Sequence, residues 1–283
     1  MERPLVVGID GSDPSLEAVD WAVDEAALHG LALRLVYASR WERYEGAVSA
    51  DSSDRPSEQE LIDTLVGDAV ESARHRNPAV EVVTDVLAED TVTALVNESR
   101  HAAMLVTGAR GRETFTGRLL GSVSLGVAAR AHCPVVVVRG DTAGREGAYR
   151  RILLGVADMD EGSSAIRFAF REAAARGCEL EVVRAWRRRV HESADRRQHQ
   201  QTAAAQIDAA VAEGVQEHPT LALRRSTVEG PPHKVLVERS AAADLVVVGA
   251  RRRQGHFGLQ LGRVAHTVLH HSQCPVAVVP QTA

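Results

Sequence analysis

The chain has 283 residues, 45% apolar and 25% charged, with a net charge of -5 and a pI near 6.2. That length fits two domains of ordinary size, and the acidic balance argues against a dedicated nucleic-acid binder, which shows a strong basic excess. No apolar run approaches the ~20 residues that span a bilayer, and three cysteines (Cys133, Cys178, Cys274) make no disulfide framework, so a cytoplasmic setting is expected.

Leu5–Ile9 is a short apolar run of the kind buried on both faces of a parallel sheet. Asp10-Gly-Ser-Asp-Pro14 is a turn in which Ser12 or Asp13 can cap a helix over 16–29, and Gly30 suits that helix's C-terminal end. A strand over 31–38 follows. Residues 40–56 are polar and read as a loop. A helix is expected over 58–76, a strand over 80–87, a helix over 91–101, a strand over 104–107, a helix over 121–131 and a strand over 135–138.

The order then repeats. Leu5-Val-Val-Gly-Ile-Asp10 aligns with Ile152-Leu-Leu-Gly-Val-Ala157, and Leu95–Val138 aligns without a gap with Leu236–Val279. The chain is therefore a tandem duplication. It divides into a first domain over 1–140, a polar, glycine-rich linker over 141–149 and a second domain over 150–283. Alternating strands and helices predict, for each copy, an open twisted five-stranded parallel sheet with helices on both faces, a Rossmann-like α/β fold. Ligands of such sheets sit beyond the carboxyl ends of the strands.

After the fourth strand comes Gly108-x2-Gly111-x9-Gly121-Ser-Val-Ser124. Gly108 can turn the chain off the strand. Gly111 and Gly121 can take positive φ and leave room for a phosphate. The helix opening at Gly121 offers free N–H groups to an anion, and the Ser122 and Ser124 hydroxyls can add to them. Short glycine motifs are weak alone, but this one leaves a strand, opens a helix and lies at the ligand edge of the sheet.

This spacing, with Asp10 after the first strand and the closing Cys133-Pro-Val-Val-Val-Val138 strand, resembles the ATP-binding signature of the universal stress protein family, once per copy over nearly the whole chain. The resemblance implies an ATP site, with or without Mg2+. Gly8, Ile9, Asp10 and Ala38 would lie near the adenine. Gly108, Gly111, Gly121, Ser122, Val123 and Ser124 would lie around the ribose and phosphates. It also implies self-association through the last strands, Val135–Val138 and Val276–Val279, within one chain or between two, and no nucleic-acid or membrane partner. The implied role is nucleotide-dependent sensing or regulation in a stress response, by binding. The alternatives are a slow ATPase or adenylyl-transferring enzyme, and a nucleotide-free interaction scaffold. No catalytic residue set and no Walker lysine is present.

The second copy departs from the signature. Its loop reads Gly249-Ala-Arg-Arg252, then Gly262-Arg263-Val-Ala265, and Ala157, next to Val156, stands where Asp10 does, with Asp158 one position on, where a small slip could recover the carboxylate. Loss or weakening of nucleotide binding is expected. In the alternative, Arg252 and Arg263 hold phosphate by charge. His266, His270, His271 and Cys274 read as surface histidines and a packed cysteine rather than a metal site. Trp21 and Phe168 read as repeat-equivalent packing residues.

Overall fold

The computed structural model describes residues 3–39, 58–110, 120–157, 163–187, 196–250 and 261–281. The chain forms two compact units, Met1–Cys133 and Pro134–Ala283. The first contains β1 (Leu5–Ile9), α1 (Asp13–His29), β2 (Leu33–Ala38), α2 (Glu58–Arg76), β3 (Val82–Leu87), α3 (Thr91–Glu98), β4 (Met104–Gly108) and α4 (Ser122–Arg130). The second contains β5 (Val135–Val138), α5 (Thr142–Arg145), β6 (Arg151–Gly155), α6 (Ser163–Arg176), β7 (Glu179–Trp186), α7 (Arg196–Glu217), β8 (Leu223–Glu229), α8 (Pro232–Arg239), β9 (Leu245–Ala250), α9 (Arg263–His271) and β10 (Val276–Pro280).

In the first unit the strands run β3-β2-β1-β4, all parallel. In the second they run β5-β10-β9-β6-β7-β8, parallel except that β5 lies antiparallel to β10, with Val137 opposite Val276 and Val135 opposite Val278. The last strand of the first repeat thus pairs with the last strand of the second. The apolar runs explain the sheet: every residue of β4 and β5 is buried, as parallel-sheet strands covered on both faces require. Each fully buried Val, Leu or Ile adds about 1.5–3 kcal/mol relative to exposure.

The helices form as their end signals dictate. The Ser12 hydroxyl caps α1 by accepting from the Ser15 N–H, Pro14 lies in its first turn, and Gly30 closes it with φ 65°. Its inner stripe is Ala18, Val19, Ala22, Val23 and Ala26, joined by the buried Trp21; Phe168 is the buried equivalent on α6. The stretch expected as a plain linker carries α5. There the Asp141 carboxylate accepts from the Gly144 N–H at 2.7 Å, and Gly144 is buried.

Partly buried charge pairs anchor α3 and α8 to their sheets, with signs reversed between the copies. In the first unit Arg34 on β2 holds Glu98 of α3 at 2.8 Å and Asp85 of β3 at 2.5 Å. The hydrogen bond to Asp85 raises the Arg34 pKa, against a lowering by burial. In the second unit the aligned position on β7 is Glu181, which holds Arg239 of α8 and accepts from the Ser226 hydroxyl of β8 at 2.8 Å. Both arrangements seat a helix whose first turn faces the C-terminal edge of its sheet. They also let it pack closely: a Cβ on Gly8 would meet Leu95 Cδ1 at 2.8 Å, and one on Gly155 would meet Leu236 Cδ1 at 2.8 Å.

Candidate functional site at the C-terminal edge of the first sheet

Beyond the carboxyl ends of β1, β2 and β4 lies a cavity of about 610 Å³, within the ~300–1,000 Å³ typical of small-ligand sites. Its walls include Gly8, Ile9, Asp10, Ala38, Gly108, Gly121, Ser122, Val123 and Ser124. All the first-copy residues expected from sequence therefore converge there except Gly111, which lies outside the described residues, as does the loop over 40–56. A shallower groove of about 750 Å³ between α2 and β3 shares no residue with it.

Each wall is fixed by local chemistry. Asp10 Oδ1 accepts from the Ser12 hydroxyl at 2.6 Å and the Ser12 N–H at 3.0 Å, while the Asp10 N–H donates to Ser15 Oγ at 3.1 Å. The turn after β1 is thereby locked to the start of α1. Asp90 caps α3 by accepting from the Thr93 N–H at 3.1 Å and hydroxyl at 3.0 Å. The Thr91 hydroxyl donates to Ala38 O at 2.8 Å, joining α3 to the end of β2.

The loop after β4 is drawn together at its base. The Gly121 N–H donates to Ala109 O at 2.8 Å, and the buried Ser124 hydroxyl donates to Gly108 O at 2.7 Å. The Ser124 hydroxyl proton thus serves the loop rather than a phosphate. Gly108 is required for a reason the sequence did not reveal: a Cβ there would lie 2.4 Å from Pro14 O and 2.6 Å from Pro14 C. The backbone of β4 passes directly against the opening of α1. Gly121 does not take the positive φ expected of it. At φ -68° and ψ 151° it is an ordinary extended N-cap, with no side chain bonded over the helix end. Ser122, Val123 and Ser124 fill the first helical positions, whose N–H groups have no intrahelical acceptor. Those donors and the positive end of α4 face an anion well.

Several wall residues escaped the sequence reading, Thr107 among them. Thr107, 3% exposed at the end of β4, has a buried hydroxyl with no hydrogen-bond partner among the described residues. A buried unsatisfied hydroxyl costs about 1–3 kcal/mol. The aligned residue in the second copy is Val248, so packing alone does not demand a threonine. Glu89 and Arg110, also in the wall, were missed too, because they resemble ordinary turn and loop residues.

The model of the universal stress protein family matches residues 1–139 and again 148–280. The chain belongs to the universal stress protein family. It is 32% identical to the universal stress protein Rv2623 of Mycobacterium tuberculosis, over 98% of this chain and 96% of that protein. A universal stress protein from Archaeoglobus fulgidus shares the fold, with a TM-score of 0.72 at 19% identity over 99% of this chain and 98% of that one. A universal stress protein solved in complex with cAMP is 30% identical over 49% of this chain and 98% of its own, with a TM-score of 0.38.

In the second copy of this universal stress protein, Val156 is buried, Gly249 is half-buried, and Ala157, Gly262 and Arg263 are exposed; Arg252 lies outside the described residues. Gly262 opens α9 with φ -61°, and a Cβ there would meet open space. All three thiols are buried. Burial pushes Cys133 and Cys274 up to about 12 and also raises Cys178. Cys274 is further held by Ser272, which donates to Cys274 O at 2.9 Å. On α9 the His266 and His270 rings lie 4.5 Å apart. Burial and then the neighbouring His266 lower the His270 pKa. Among the described residues no helix is long and apolar enough to cross a membrane.

Proposed function

We propose that this universal stress protein binds ATP in its first copy and acts in stress response through the bound state rather than through turnover. The observation that carries this reading is a cavity beyond the carboxyl ends of β1, β2 and β4 that meets the start of α4, where no side chain caps the helix. One end of the cavity is built for phosphate, with the N–H groups of Ser122, Val123 and Ser124 and the glycine-lined base of the loop. The other end, formed by Ile9, Asp10, Tyr37 and Ala38, offers backbone and a carboxylate to a base. Among the described residues the wall holds no histidine, lysine or cysteine to act as nucleophile or general base. Of its three carboxylates, Asp10 and Asp90 are engaged in turn and cap hydrogen bonds, and Glu89 stands beside the Asp90 cap at the start of α3. Bound nucleotide stabilises the folded state by mass action, and that linkage is the means by which nucleotide level would set partner contacts.

The test is the nucleotide content of the purified chain, released by denaturation and counted, followed by titration with added ATP. About one ATP per chain supports the reading. No ATP after titration removes it. Sustained magnesium-dependent turnover that Gly121→Trp abolishes would replace it with an enzyme.

A further inference from the structure

The outer strands of the two copies are finished differently. Among the described residues β3 pairs only with β2, and β8 only with β7. Their registers align Val82 with Leu223. Without a gap, that alignment runs back through Pro78 and Pro219 to Gly67 on α2 and Asp208 on α7. In the second copy Arg225 of β8 reaches Asp208 at 2.9 Å, and Ile207 and Val211 of α7 are fully buried. Arg224 stands next to Arg225 on the strand. Charged side chains on an outer strand keep a sheet from pairing with another chain.

In the first copy these protections are absent. Val83 and Thr84 replace the two arginines, and Gly67 replaces Asp208. The groove between α2 and β3 opens where the bridge would stand, with Gly67, Thr84 and Val86 in its walls. A Cβ on Gly67 would meet nothing within 4 Å. Val66 and Val70, aligned with Ile207 and Val211, are left half-buried, and Val83 and Val86 are 46% and 47% exposed.

The backbone specifies what fits there. Glu81 O and Leu87 O accept from the N–H groups of Leu33 and Ser39, at 2.8 and 3.1 Å. Successive residues of a strand direct their backbone groups to opposite sides. Residues 81, 83, 85 and 87 thus serve β2, while Val82, Thr84 and Val86 turn their N–H and C=O groups outward. An added strand would take up all of them. A two-fold axis at Thr84 supplies one, the β3 strand of a second copy running antiparallel. Thr84 then lies opposite its counterpart and Val82 opposite Val86, and each pair exchanges both hydrogen bonds. These β-branched pairs lie on the groove face, where cross-strand contact stabilises a sheet. On the other face Val83 comes beside Asp85, whose charge Arg34 holds at 2.5 Å. The same axis sets α2 antiparallel to its counterpart. Asp63 lines one end of the groove and Arg74 and His75 the other, so each end meets opposite charge.

We infer that the outer edge of β3, with the groove beside α2, joins two copies of this chain by antiparallel β3 pairing. The arginines of β8 keep the opposite edge out, so assembly closes at a dimer instead of continuing into a fibre. The interface stands on β3 and α2 and does not depend on nucleotide in the first copy.

The experiment is sedimentation equilibrium of the full chain across a concentration series. The wild type is compared with Thr84→Pro and with the double variant Gly67→Asp/Thr84→Arg, which copies the bridge of the second unit. The proline removes an outward N–H, which an edge strand tolerates. Circular dichroism and a cooperative melt check that both variants fold. The wild type should weigh twice the 30.4 kDa chain and fall to one chain on dilution. Each variant should raise the dissociation constant by about tenfold or more. Independently of those variants, oxidised Thr84→Cys should cross-link two chains and Arg224→Cys should not, since the native thiols are buried. A chain monomeric at every concentration overturns the inference. So does a dimer that the variants leave unchanged, or a Thr84→Cys chain that fails to cross-link. A monomer that instead binds a polypeptide of other sequence at this edge, lost in the double variant, overturns it as well.

Discussion

Replacing Thr107 by valine should move stability and affinity in opposite directions. The side chain is 3% exposed and its hydroxyl lacks a partner among the described residues, so the ligand-free protein bears the desolvation of an unsatisfied polar group. Threonine to valine is ordinarily a costly exchange where the hydroxyl is bonded. Here no bond is lost, and the second copy already carries valine, 3% exposed, at the aligned position. Removing the hydroxyl should stabilise the nucleotide-free chain by about 1 kcal/mol, which for a protein of this length raises Tm by roughly 2–4 °C. Under the proposed ATP reading, the wild-type complex would satisfy that hydroxyl and the variant complex would not. Affinity for ATP should therefore fall by about 1.5–3 kcal/mol, roughly ten- to a hundredfold. Melting curves of nucleotide-stripped protein and calorimetric ATP titrations measure the two effects independently. A lower Tm without nucleotide would mean that the hydroxyl has a partner in the folded chain. An unchanged ATP affinity would mean that Thr107 does not meet the ligand. Either outcome refutes the reasoning.

Three other substitutions or conditions test the supporting structure. Gly108→Ala places a methyl 2.4 Å from Pro14 O, so it should destabilise the first unit by about 1–3 kcal/mol and abolish ATP binding, read from urea midpoints and titration. Arg239→Met leaves Glu181, 2% exposed, without its cation. A loss of about 3–5 kcal/mol is expected, and the double exchange Glu181→Arg with Arg239→Glu, which copies the sign of the Arg34–Glu98 pair, should recover part of it in a double-mutant cycle. The Cys133 and Cys274 thiols are pushed up to about 12 by burial. Native protein at pH 8 should thus react with a thiol reagent only as fast as it unfolds. Because the folded values lie above the unfolded value near 9, the stability the neutral thiols contribute is complete below pH 9. It declines as pH rises towards 12, seen as a falling urea midpoint that Cys133→Ala flattens.

The fold was legible where one strong local signal acted alone. The apolar runs of β1, β4 and β5, the Ser12 cap and the Gly30 stop all stand where patterning placed them. The duplication made the second half as readable as the first. What stayed hidden depends on contacts distant in sequence. Gly108 is dictated by the approach of Pro14, which no local pattern encodes. Thr107 is a good strand former and so looked like sheet; only its missing partner marks it, and comparison with Val248 was the one signal available beforehand. Asp90 stood outside the expected helix over 91–101 and Thr91 looked like a plain helical residue, although their hydrogen bonds hold α3 and the end of β2 together at the cavity. In the segment after β5, glycine-rich composition masked the Asp141-x-x-Gly144 cap that makes α5. The difference between the two outer strands was visible residue by residue in the aligned copies, but only the strand registers fixed which positions correspond.

The antiparallel pairing of β5 with β10 has a thermodynamic corollary. Strands joined across two separate polypeptides come apart on dilution, because their association is bimolecular. Here both strands belong to one polypeptide and to one compact unit, so closing the pair is a unimolecular event governed by an effective concentration set by the tether. Its cohesion is independent of how much protein is present, from the first molecule made to the highest level of expression.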